Sequence, residues 1–251
     1  MPSLTRLACR AVVLVLCLVG AFSSAVYAAD VSGSASVVSD YLFRGLSQTN
    51  RDPALQAGIE IDGAQGLYAG VWGSNISWLS DGSTSTAPIS SSLETDGYIG
   101  WRTTFANKAS FDVGLYTYYY PGTYPSGFTS PDTTEGYVGV GYAGFHLKYS
   151  HAFTNLFGFA DSKHSDYWDL SWSHDLAARW SLSAHVGHQR VKHVASGDYT
   201  DWNLVLLRSF AHGYSVSLGY YDTNADRGVY TNAHNHYLGR ATAVLALSKS
   251  F

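Results

Sequence analysis

The chain ends RATAVLALSKSF, Arg240 to Phe251. Successive side chains of a strand point to opposite faces, so this stretch splits into two sets. Ala241, Ala243, Leu245, Leu247, Lys249 and Phe251 form an apolar stripe that finishes on an aromatic ring. Arg240, Thr242, Val244, Ala246, Ser248 and Ser250 form a smaller, more polar face. The fold turns on whether the rest of the chain repeats this division.

Eleven more strands are predicted, and ten of them repeat it. The first predicted strand is long, with Val31 to Phe43 alternating against Ser32 to Arg44. A second sets Leu55, Ala57, Ile59 and Ile61 against Gln56, Gly58, Glu60 and Asp62. The third, Leu67 to Ile76, is apolar on both faces and its phase stays open. Later strands repeat the first pattern around Leu93–Arg102, Phe111–Tyr120, Thr134–Tyr142, Phe145–Phe153, Trp168–Trp172, Trp180–Val186, Trp202–Leu206 and Tyr214–Tyr220. Connections alternate between short turns and longer Gly-, Ser- and Pro-rich loops. An even strand count with alternating loop lengths is the pattern of a closed antiparallel up-and-down transmembrane β-barrel, and strands of about 9–11 residues cross a bilayer at a tilt.

Charge placement agrees. On the apolar faces only Lys249 is charged. The opposite faces carry Asp40, Arg44, Glu60, Asp62, Glu94, Asp96, Arg102, Asp112, Glu135, Lys148, Asp169, Asp201 and Arg240, nine acidic against four basic. Aromatic residues fall at two levels. Trp101, Phe111, Tyr142, Phe145, Trp172, Trp180, Tyr214 and Phe251 mark the short-turn end; Tyr41, Phe43, Tyr119, Phe153, Trp168, Trp202 and Tyr220 mark the long-loop end. Two aromatic levels around a plain aliphatic band match headgroup interfaces. The soluble alternative, a sandwich or barrel with its apolar face inward, gives no reason to sort rings by height.

Residues 1–28 read as a secretory signal peptide: Arg6 and Arg10 precede an apolar run from Ala11 to Phe22, and Val26 and Ala28 fit small-residue cleavage. Residues 29–251 then form the barrel. Cys9 and Cys17 leave with the leader, so the mature part has no thiol chemistry. Arg6 and Arg10 leave too; of 15 basic residues 13 remain against 19 acidic, a net charge of −6 that disfavours nucleic acid. No later apolar run is long enough for a spanning helix.

Several stretches resemble the TorF family of outer-membrane porins. They are Ser39–Thr49 (SDYLFRGLSQT), Asp52–Gln56 (DPALQ), Tyr68–Asn75 (YAGVWGSN), Glu94–Gly100 (ETDGYIG) and the ending Ser248–Phe251. The resemblance extends over the mature chain. It implies a Gram-negative outer-membrane barrel for passive solute passage, exported through the periplasm, without an established substrate. The last strand is also similar to the closing strands of such barrels, whose terminal Phe, here Phe251, is read by the barrel-assembly machinery. The implied partners are that machinery, outer-membrane lipids and small polar solutes.

The acidic excess on the inward faces predicts a mildly cation-favouring lumen. Asp40, Arg44, Glu60, Glu94, Asp96, Arg102, Asp112, Lys148 and Arg240 are the candidate lumen or constriction residues. They read either as a filter or as an ion-pair network that plugs the barrel. His185, His188, His193, His234 and His236 cluster near two loops without diagnostic ligand spacing, so no metal or cofactor is expected. No Ser/His/acid set can be assembled from the sequence. A lipase- or protease-like barrel enzyme and a non-conducting structural or adhesive barrel remain the alternative classes.

Overall fold

The structure is a computed structural model that describes residues 29–251; the expected signal peptide lies outside them. Among the described residues fourteen strands follow in order. They are β1 (Asp30–Val38), β2 (Leu42–Phe43), β3 (Leu46–Ser47), β4 (Ala54–Asp62), β5 (Leu67–Asn75), β6 (Leu93–Thr104) and β7 (Ser110–Tyr119). Then come β8 (Thr133–Tyr142), β9 (Phe145–Ala152), β10 (Asp166–Ala177), β11 (Trp180–Arg190), β12 (Tyr199–Ser209), β13 (Tyr214–Thr223) and β14 (Thr242–Ser250).

Twelve of these close into an antiparallel barrel, in which each strand pairs with its sequence neighbours and β1 pairs with β14. Closure leaves no unpaired edge, the condition for strands to cross hydrocarbon. The seam runs Val37 opposite Leu247 down to Ser34 opposite Ser250. It ends where Gly33 and Phe251 exchange backbone hydrogen bonds of 2.8 and 3.0 Å. The ring of Phe251 lies over Gly33 so closely that a Cβ there would meet it at 2.5 Å. The chain's last residue therefore locks the ring shut as well as ending it.

The faces sort as the alternation predicts. Leu55, Val71, Leu218 and Leu247 point outward and are more than half exposed, while Asp96 and Glu135 point inward and are 4 % and 2 % exposed. Apolar outside and ionic inside is the reverse of a soluble barrel, and only a lipid surround makes it stable. Tyr119, Phe153, Trp168, Trp202 and Tyr220 ring the outside at the long-loop end; Trp101, Tyr142, Phe145, Trp180, Tyr214 and Phe251 ring it at the other. The third predicted strand, β5, acquires its phase: Tyr68, Trp72 and Ser74 turn inward, Leu67, Ala69 and Val71 outward.

Three expectations are corrected. The first strand ends at Val38 rather than at Arg44. Residues 39–53 leave the wall and fold into the lumen, where β2 and β3 pair as a short hairpin. Tyr41 and Phe43 therefore belong to the interior and not to the outer aromatic level; Tyr41 is buried. The reason is that Asp40, Ser47 and Thr49 close a polar knot at the base of the segment, with Ser47 Oγ donating to Asp40 Oδ1 at 2.6 Å. Third, β14 begins at Thr242, so Arg240 lies before the strand, exposed, and not in the lumen.

Candidate functional site

The hairpin makes the site. Leu42 faces Ser47 and Phe43 faces Leu46, leaving Arg44 and Gly45 as a two-residue turn. Both have positive φ, 47° and 77°, as the favoured two-residue hairpin turns require. Gly45 is also needed for space, since a Cβ would stand 2.6 Å from the Cβ of Asp201 on β12. The tip is thus pressed against a wall well around the barrel from β1, where the segment starts.

Arg44 fastens it there. Its Nη1 donates to Glu135 Oε1 at 3.0 Å and to Gln189 Oε1 at 2.7 Å, and its Nη2 donates to Glu135 Oε2 at 2.6 Å. Glu135 is on β8 and Gln189 on β11, so one guanidinium ties two separate walls to the hairpin. The ring of Tyr167 stands 4.2 Å from the guanidinium carbon and that of Phe43 4.9 Å. Arg44 lies outside the spanning strands. Burial disfavours its charge, the adjoining Glu135 carboxylate outweighs that, and the net effect raises its pKa. The group stays charged and paired.

The hairpin parts two spaces. On the long-loop side is an apolar vestibule of about 230 Å³, floored by Phe43 and Leu46 and walled by Trp78, Leu156, Tyr199 and Tyr230. On the other side is a polar chamber of about 380 Å³, reaching from Tyr41 and Phe43 to Asp96, Tyr98, Tyr137 and Lys148.

Each candidate residue now has a place. Asp40 lies buried at the base of the hairpin. Burial pushes its pKa up, against hydrogen bonds from Ser47 and Thr49 that pull it down. Glu94 and Asp96 stand two residues apart on the inner face of β6. Tyr41 donates to Glu94 Oε1 at 3.2 Å, and Tyr116 donates to Asp96 Oδ2 at 2.9 Å. Glu60 and Arg102 meet at 2.6 Å, with Asp62 as the second partner of Arg102, partly exposed toward the short-turn end. Asp112 accepts from Tyr68 at 2.7 Å. Lys148 sits over the ring of Tyr137 at 5.3 Å. Arg44, Glu94 and Asp96 thus gather at the hairpin, and Glu60, Arg102 and Asp112 form a separate lower layer.

Sequence reading left some partners out. Glu135 falls on an inward face by alternation, but nothing in the sequence ties it to Arg44. His185, expected near a loop, points inward between two carboxylates, with Nδ1 3.3 Å from Asp169 and Nε2 3.0 Å from Asp201. Tyr167 also donates to Asp201 at 2.9 Å. The alternation of β10, β11 and β12 places all four residues inward, and that was the available signal.

Fold and site together define a transmembrane β-barrel with an ionic lumen crossed by an inward-folded hairpin. The chain belongs to the bacterial family of unknown function called Gcw_chp, which it matches over residues 23–251. No curated protein matches it. Among solved structures it shares its fold with the KdgM porin, at a TM-score of 0.54 and 7 % identity over 88 % of this chain and 98 % of that one. The NanC porin gives 0.52 at 12 % identity, covering 88 % and 99 % of the two chains. KdgM in complex with disordered oligogalacturonate gives 0.51 at 7 % identity, covering 88 % and 97 %. At such identities the likeness is one of fold.

Proposed function

We propose that this protein is an outer-membrane channel for the passive passage of small polar solutes, with the Arg44 hairpin as its constriction. One observation carries the reading: a segment that could have extended the first wall strand instead crosses an ionic lumen and is held at its tip by two walls. The resemblance to TorF porins and the fold shared with the KdgM and NanC porins support it. On this reading the long loops are extracellular, the short turns periplasmic, and the chain acts without catalysis or cofactor.

The lumen favours cations mildly. Arg44 is matched by Glu135, and Arg102 by Glu60 and Asp62. Asp40, Glu94 and Asp96 at the hairpin and Asp112 below it then outnumber Lys148, leaving an acidic excess in the lumen.

The second reading, a structural plug, is favoured by the same ion pair, because Arg44 and Glu135 are 7 % and 2 % exposed at their side chains. Planar-bilayer recording in a potassium chloride gradient decides. A channel conducts, with a reversal potential of cation-selective sign, and Arg44→Ala changes its conductance. A plug stays silent in both forms, and clear anion selectivity would remove the charge argument.

A further inference from the structure

The chamber below the hairpin holds two ionisable side chains that have no ion-pair partner among the described residues. Asp96 is 4 % exposed and lines the chamber. Its Oδ2 accepts from Tyr116, but its Oδ1 has no donor. Lys148, half-buried on another wall of the same chamber, has the face of Tyr137 5.3 Å from its ammonium and Asp169 as its cross-strand neighbour, but makes no ion pair within 4.0 Å. The remaining ionic pair in the chamber, Glu135 and Arg44, is already matched.

The two cannot satisfy each other. β6 and β9 are three strands apart in the barrel, roughly 14 Å along the wall at the usual strand spacing. The surface from β6 across β7 to β8 is aromatic: Tyr98 and Tyr116 stack at 5.3 Å, and Tyr137 follows on β8. A buried carboxylate oxygen without a donor is costly, and the half-buried ammonium of Lys148 is open to an anion in the chamber.

We propose that this chamber is a binding site for an elongated zwitterion, a primary ammonium and a carboxylate joined by an apolar linker. The ammonium donates to Asp96 Oδ1, the carboxylate meets Lys148, and the linker lies against the rings. A primary ammonium is selected over a quaternary one because Oδ1 needs an N–H. This deepens the channel reading, which supplies only the ligand's route of entry; the chemistry of the site does not depend on conduction.

The test is calorimetric titration of the purified barrel in detergent with 6-aminohexanoate, hexylamine, hexanoate and the N-trimethyl derivative of 6-aminohexanoate. The zwitterion should bind at least about tenfold more tightly than each of the other three, the worth of one charge-assisted hydrogen bond. Asp96→Asn and Lys148→Met should each weaken it by a similar factor. Equal affinity for hexylamine and 6-aminohexanoate, or no binding of either, overturns the proposal on the unaltered protein, whatever the variants do. Potassium chloride conductance of the same preparation keeps the two readings apart. Conduction without binding sinks the site alone, and binding without conduction sinks the channel alone.

Discussion

The guanidinium of Arg44 and the carboxylate of Glu135, 91 positions apart in the chain, share two hydrogen bonds of 3.0 and 2.6 Å inside the barrel. Both groups are buried, so neither can fall back on water. Removing one partner strands the other charge. Arg44→Ala should therefore destabilise the folded barrel by about 3–5 kcal/mol in urea titrations from lipid vesicles. Replacing both, Arg44→Met with Glu135→Leu, should recover most of that loss while conductance stays altered. A double variant as unstable as the single one would show that the pair is not what holds the hairpin.

Gly45 gives a second handle on the same hairpin. An alanine there has two penalties, a left-handed φ of 77° and a Cβ driven to 2.6 Å from that of Asp201. Gly127 has nearly the same φ, 80°, with open space around it. Gly127→Ala should thus lose only the backbone part, about 1–2 kcal/mol. Gly45→Ala should lose more, and its single-channel current should become noisier as the tip detaches from β12. Equal losses in the two variants would mean that the contact with Asp201 is not close.

The barrel was legible in the sequence because lipid and lumen impose a period of two on every wall strand, and because charges cannot face hydrocarbon. The hairpin was not. Ser39 to Arg44 keeps the same period, with Tyr41 and Phe43 alternating against Asp40 and Arg44, so it reads as more wall. An aromatic side chain suits a headgroup interface and a packed lumen equally well. What separates the two is the contact of Asp40 with Ser47 and Thr49 and of Arg44 with Glu135, and pairings across such distances leave no local pattern. Trp72 shows the same limit. β5 is apolar on both faces, so only pairing with β4 and β6 reveals that its tryptophan looks inward.

The division between lipid and lumen can be tested directly. Leu115, about half exposed on β7, lies in the outward aliphatic band, paired with Ile99 and Gly136. Leu115→Arg should cost about 2–4 kcal/mol of folding free energy in vesicles, as a cation at the bilayer midplane does. Asn203 on β12 faces the lumen beside Asp201 and Asp169. Asn203→Lys should stay within about 1 kcal/mol of the parent, because it enters an acidic aqueous space. It should also shift the reversal potential toward anions. The opposite order of costs would turn the barrel inside out.

Asp40 adds a pH dependence with a defined sign. Its Oδ1 accepts from Ser47 and Thr49 while its Oδ2 is buried without a donor, and burial raises its pKa. A carboxyl with a raised pKa holds its proton more tightly in the folded state than in the unfolded one. Its favourable contribution is therefore complete below the usual carboxylate pKa, and it is lost as pH climbs from there through the raised value. Unfolding by urea at a series of pH values should show that decline in the parent protein. Asp40→Asn keeps an acceptor for Ser47, has no proton to lose, and should be at least as stable as the parent at neutral pH, with a flatter profile. If the variant instead shows the parent's slope unchanged, Asp40 is not the group responsible, and the base of the hairpin is better hydrated than its burial indicates.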